Sequence, residues 1–152
     1  MTVSAIVLAA GEGTRMRSSR PKPLHMICGR SMVMHVIHAL EQVKLDRTVV
    51  VVGHGADRVT QKVSEQAPDW ANVTFVEQAE QRGTGDAAMV GMTAVPGDDL
   101  DDDSTIVILP GDTPLLRPET LDELVAAHHA NGYAATAITS VLDDPTGYGR
   151  VV

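Results

Sequence analysis

Residues 5–10 read A-I-V-L-A-A, an unbroken apolar run of strand length, and Gly11 and Gly13 punctuate its end. Without alternation, such a run fits a strand buried on both faces, as in the middle of a parallel sheet. The glycines let the backbone turn tightly and come close to a ligand with no side chain in the way. Arg15, Arg17, Arg20 and Lys22 follow within one short loop. A buried strand that ends in glycines and then cations is built to hold phosphate.

Two better-known glycine loops do not match. The dinucleotide fingerprint G-x-G-x-x-G requires glycine at position 16, where the chain has Met16, and a helix that opens at once, which Pro21 and Pro23 oppose. The P-loop pattern fails because Met16 and Arg17 stand where Gly and Lys belong.

Charge sharpens this reading. The 152 residues carry a net charge of −8, yet residues 11–30 hold five basic side chains against Glu12 alone, a local +4 that leaves −12 for the rest. One basic loop on an acidic chain suits a small polyanion held at one place, and argues against a broad nucleic-acid surface. Hydrophobic content of 43% with 21% charged residues suits a soluble globular domain. No apolar run approaches the ~20 residues of a membrane span, and the start lacks the pattern of a signal peptide. The single Cys28 cannot form an internal disulfide, no Cys/His spacing resembles a zinc site, and a reducing cytoplasm is the simplest setting.

Along the chain, Ser31 is expected to cap a helix that runs to about Val43, with Val33, Val36, Ile37 and Leu40 on its inner face. Residues 48–52 and 73–76 read as further strands, with a helix between them capped by Asp57 and packed through Val59 and Val63. Residues 86–95 read as a small-residue helix. The acidic tract 98–103 reads as a solvated loop. Residues 105–109 form a fourth strand, followed by P-G-D-T-P. A helix starting at Pro118 and ending at Gly132 buries Leu121, Leu124 and Val125. Residues 134–141 are expected as a fifth strand, and residues 150–152 as the opening of another. This alternation predicts right-handed βαβ units, a mostly parallel sheet and helices on both faces. The ending suggests the front part of a longer protein.

In such a sheet, ligands bind beyond the carboxyl ends of the strands, where the strand order reverses. If the first and fourth strands are neighbours, the basic loop faces Asp112 across that crevice. The loop would hold phosphates, and Asp112 a divalent cation, since Mg²⁺ suits few carboxylates plus substrate oxygens. An Asp after a strand is also common turn chemistry. The six histidines show no spacing shared with a carboxylate cluster, and there is no G-x-S-x-G elbow.

L-A-A-G-E-G-T-R-M followed by P-K-P-L-H resembles the signature of the sugar-nucleotidyltransferases. The stretches G-R-S-M-V-M-H-V-I, Q-A-E-Q-R-G-T-G, G-D-T-P-L-L and L-D-D-P-T-G-Y-G-R extend the match from Leu8 to Arg150, in the family's order and approximate spacing. This longer match resembles the bacterial branch that makes UDP-N-acetylglucosamine for cell-wall synthesis. Pro110 departs from the family, which often has an aromatic residue there.

The resemblance implies a Rossmann-like nucleotide-diphospho-sugar transferase fold, with residues 1–152 as the N-terminal part of a uridylyltransferase domain. It implies that Leu8, Ala9, Ala10 and Gly11 line the nucleotide, and that Arg15 and Lys22 contact phosphates and act in catalysis. Gln78, Gly83 and Thr84 would meet the uracil edge and adjoining product. Pro110 and Gly111 would lie on the substrate, Asp112 would bind Mg²⁺ and Gly149 would approach the amino sugar. The implied reaction is attack of N-acetylglucosamine-1-phosphate on the α-phosphorus of UTP, releasing pyrophosphate. The second metal ligand, the acetyltransferase β-helix and the homotrimer it forms would lie beyond position 152. Two alternatives stay open: a sibling enzyme using another base or sugar, and a nucleotide-binding piece without turnover.

Overall fold

A computed structural model describes residues 2–97, 100 and 103–149. The chain forms β1 (Val3–Leu8), a small hairpin of β2 (Met26–Ile27) and β3 (Arg30–Ser31), α1 (Met32–Ala39), β4 (Arg47–Val52) and α2 (Ala56–Gln66). It continues through β5 (Val73–Glu77), α3 (Thr84–Met92), β6 (Thr105–Pro110) and α4 (Pro118–Asn131). Four strands make one parallel sheet in the order β5-β4-β1-β6.

β1 is central because its sequence leaves it no other place. Ala5, Ile6 and Val7 have no exposed surface. Alternate side chains go to opposite faces of a strand. Ala5 and Val7 join α1, α2 and Leu121 of α4 in one core, while Ile6 joins Val49, Val51 and Ala87 of α3 in the other. The helices therefore cover both faces, as the alternating pattern predicts. From β1 the chain steps outward to β4 and β5, and α3 then carries it back across to β6 on the far side of β1. The order reverses between β1 and β6, which opens a crevice at their carboxyl ends.

α3 lies unusually close to the sheet. A Cβ at Gly91 would fall 2.5 Å from Ile6 Cγ2 and 3.1 Å from Val51 Cγ2. The small residues of this helix permit that approach.

Several local expectations are corrected. Ser31 does precede α1, but its buried hydroxyl has no hydrogen-bond partner and so caps none of the first amides, while the Met32 amide donates to the His25 carbonyl at 3.0 Å. α1 ends at Ala39, before the expected Val43. The apolar spacing persists because Leu40 and Val43 continue through tighter turns, their amides donating to Ile37 and Leu40 three residues back. Gly55, in the left-handed conformation, caps α2, and Asp57 sits in its first turn, where the helix dipole favours an acid. Pro118 starts α4 and Gly132 ends it, as expected.

Residues 134–141 form no strand. Ile138 and Val141 are exposed, and the segment makes no ladder with any described strand. β-branched composition favours a strand, but pairing makes one. Most of the acidic tract and residues 150–152 lie outside the described residues. Among the described residues, no helix is long and apolar enough to cross a membrane.

Gly91→Ala should destabilise the fold by about 1–3 kcal/mol, the cost of overpacking a tight site. Gly85→Ala on the same helix has open space at its Cβ and should be neutral or slightly stabilising. Urea unfolding of both variants checks this; equal midpoints would contradict the close approach of α3.

Candidate functional site

The crevice is a cleft of about 670 Å³ whose walls come from three places. Its floor is the end of β1, Leu8, Ala9, Ala10 and Gly11, together with Pro110, Gly111 and Asp112 after β6. These two strand ends are locked together: the Gly111 amide donates to the Leu8 carbonyl at 2.8 Å, and a Cβ at Gly111 would lie 2.8 Å from that oxygen. Only glycine fits so close to backbone. Across the β1–β4 side, the Ala9 amide donates to the Val51 carbonyl at 2.8 Å.

The second wall is the basic loop. Gly13, with φ of 64°, turns the chain into a single 3₁₀ turn over Thr14–Met16, and a further turn over Lys22–Leu24 brings Lys22 back against it. A Cβ at Gly13 would sit 2.6 Å from the Lys22 Cβ. The loop is tethered from outside, where Arg58 of α2 donates to the Ser19 carbonyl at 3.0 Å. Arg15 and Lys22 line the cleft. Arg17 does not, and Arg20 lines a separate, smaller cleft beside α2.

Lys22 Nζ makes an ion pair and hydrogen bond with Asp112 Oδ2 across the floor. The side chains retain 30% and 35% exposure. A pair this open is worth about 1 kcal/mol or less, because solvent screens it and ordering two side chains costs entropy. It neutralises both charges and exchanges easily for stronger partners.

The third wall comes from the end of β5 and the start of α3. The Gln78 amide donates to the Val52 carbonyl at 2.8 Å, which continues the ladder one residue past β5. Its side chain is only 5% exposed, and Nε2 donates to Asp86 Oδ2 at 2.6 Å while lying 3.5 Å from the Gly83 carbonyl. Gly83 and Thr84 open α3 onto the cleft.

The structure thus brings together Leu8, Ala9, Ala10, Gly11, Arg15, Lys22, Gln78, Gly83, Thr84, Pro110, Gly111 and Asp112. Gly149 is not among the lining residues; it lies in the exposed segment after α4. Sequence reasoning missed Gln81, whose Nε2 donates to the Ala10 carbonyl at 2.8 Å and closes the cleft on that side. It also took Asp86 only as the beginning of a helix.

For a cation, the chain offers Asp112. No group of three or more His, Cys, Asp or Glu side chains stands ready for a metal among the described residues. A single carboxylate beside Arg15 and Lys22 suits a divalent cation of the kind that keeps waters and takes its remaining oxygens from a substrate.

A doubly wound parallel sheet with a glycine-rich, cationic loop at its switch point is the build of a nucleotide-binding α/β domain, and the family match makes it a nucleotidyltransferase domain. The chain belongs to the family of the MobA-like NTP transferase domain, whose model matches residues 5–149. It is similar to the bifunctional protein GlmU of Thermobifida fusca (strain YX), 48% identical over 149 residues, covering 98% of this chain and 30% of that protein. The bifunctional protein GlmU of Alkaliphilus metalliredigens is 43% identical over 152 residues, 31% of its length. The chain therefore spans about a third of the relatives it matches. Among solved structures, a nucleotidyl transferase from Methanothermobacter thermautotroptrophicus matches with a TM-score of 0.68 and 26% identity, over 82% of this chain and 57% of that one.

Replacing Lys22 or Arg15 by Ala should lower kcat/KM for nucleotide turnover by roughly 10²–10³-fold, the scale of a lost electrostatic donor. Arg17→Ala should cost much less, since its side chain is off the cleft. Steady-state kinetics check the ranking; equal losses at all three would indicate a diffuse field.

Proposed function

We propose that this domain transfers a nucleotidyl group to a sugar phosphate, and specifically a uridylyl group from UTP to N-acetylglucosamine-1-phosphate, giving UDP-N-acetylglucosamine and pyrophosphate. The observation that carries the reading is the Lys22–Asp112 pair, which sets a cation and a carboxylate across one cleft at the carboxyl ends of β1 and β6. The GlmU relatives support the choice of sugar nucleotide. On this reading the chain is the N-terminal part of a uridylyltransferase domain in a cytoplasmic enzyme of cell-wall precursor synthesis. Acetyl transfer and trimerisation would belong to chain outside these residues.

The chemistry needs no covalent protein intermediate. An oxygen of the sugar phosphate attacks the α-phosphorus, a new P–O bond forms, and the bond to the bridging oxygen breaks to release pyrophosphate. Lys22 and Arg15 place positive charge where the phosphates gather negative charge in the transition state. The strand ends hold the base and sugar of the nucleotide against rigid backbone, so orientation is fixed before reaction. Mg²⁺, held by Asp112 and phosphate oxygens, would neutralise charge and polarise the transferring phosphoryl group. With nucleotide bound, Lys22 would turn from the carboxylate to phosphate, and Asp112 would be left free to hold the metal.

Gln78 and the backbone at Gly83 would choose the base. An amide can pair with the imide edge of uracil, which cytosine lacks. A second reading, nucleotide binding without efficient turnover, is favoured by Gly149. That residue, expected to approach the sugar, does not line the cleft.

Pyrophosphate release measured over a panel of nucleoside triphosphates and sugar-1-phosphates separates these readings. UTP with N-acetylglucosamine-1-phosphate should be preferred. A stronger signal with another pair would reassign the substrate, and nucleotide binding without release would leave the second reading. Asp112→Asn should abolish most turnover and weaken Mn²⁺ binding, followed by electron paramagnetic resonance, while leaving the unfolding midpoint nearly unchanged. Near-normal turnover at ordinary Mg²⁺ would remove Asp112 from the metal site.

A further inference from the structure

Asp86 touches the wall of the cleft from behind. It is half-buried in the first turn of α3, does not line the cleft, and its Oδ2 accepts from Gln78 Nε2 at 2.6 Å. Gln78 itself lines the cleft. A free glutamine amide can present either end to a ligand, because rotation by half a turn exchanges its oxygen and nitrogen. An ionised carboxylate only accepts hydrogen bonds, so Asp86 admits the NH₂ end alone. The Gly83 carbonyl, 3.5 Å from the same nitrogen, is also an acceptor and favours the same sense. The amide oxygen, Oε1, is then the end left for a group entering the cleft.

We propose that Asp86 is a positioning residue for base selection: by fixing the sense of the Gln78 amide, it makes this wall an acceptor and not a donor. The inference rests on the reading of the cleft as a pyrimidine nucleotide site. An acceptor pairs with a base whose ring N3 carries a hydrogen, as in uracil. It meets a lone pair in cytosine, whose N3 is itself an acceptor.

The test uses the intact protein and kcat/KM for UTP and CTP. Asp86→Asn keeps the shape but can donate or accept, so the Gln78 amide is free to turn. The preference for UTP over CTP should narrow about ten-fold, the scale of one hydrogen bond, chiefly through better use of CTP. Asp86→Ser, short and suited to a helix start, should act in the same direction and serves if Asp86→Asn does not fold. In a Gln78→Ala background neither substitution should change the ratio, since there is no amide left to orient.

An unchanged ratio in a folded Asp86 variant, with the parent preferring UTP, would overturn the role of Asp86 and leave the proposed function standing. An equal change with and without Gln78 would overturn it as well, by showing a purely structural effect. Loss of the fold in both variants would do the same. No preference for UTP over CTP in the parent protein would instead defeat the uridylyl reading on which the inference rests.

Discussion

β1 is hydrogen-bonded to parallel neighbours on both edges and covered by helices on both faces, and everything else in the structure is placed by that enclosure. Its five parallel partners in β4 and six in β6 fix the register from Val3 to Leu8. The chain can leave this strand only at its carboxyl end, and there the return of β6 on the far side creates the switch point. The contact between the Leu8 carbonyl and the Gly111 amide is the last bond of that enclosure and the first feature of the cleft. Core and site are therefore joined without a flexible linker. Burial of each core valine or isoleucine is worth about 1.5–3 kcal/mol, so the cleft floor inherits its rigidity from the apolar packing beneath it.

On that rigid floor the charges are loosely held. A chain with net charge −8 sets four of its twelve Lys and Arg side chains, Arg15, Arg17, Arg20 and Lys22, in one short loop, which turns on Gly13 and is tied back by Arg58. Lys22 and Asp112 satisfy each other, yet their exposure keeps the pair weak. Buried deeply, the same pair would resist exchange, because each ion would be costly to strand alone. The structure thus separates two jobs: backbone and glycines set the shape, while side chains at the surface of the cleft carry replaceable charge.

Much of this was legible in the sequence. Residues 5–10 announced a doubly buried strand because no polar face interrupts them, and Gly11, Gly13 and the cations marked the loop after it. Residues 48–52 and 105–109 were equally plain, and the helices between the strands implied a parallel sheet, but that both of these strands flank β1 is a matter of sheet order, which the sequence leaves open. Features settled by distant partners were not legible. The stretch 134–141 has strand composition, but pairing is non-local and it finds no described partner. Ser31 looks like a cap, yet its buried hydroxyl accepts from none of the first amides of α1, and the Met32 amide is held by the distant carbonyl of His25. The bond between Gln78 and Asp86 depends on how residues 79–83 fold back, and no spacing rule announces it.

The central claim is that one cleft, between the ends of β1 and β6, takes the nucleotide and its cation. Amide hydrogen exchange, with and without saturating UTP and Mg²⁺, locates the bound ligand directly. Protection should concentrate in residues 8–16, 78–85 and 110–113, with the segment after α4 unchanged. Protection centred instead on Arg20, Arg58 and Lys62, which border the smaller cleft beside α2, would contradict the account.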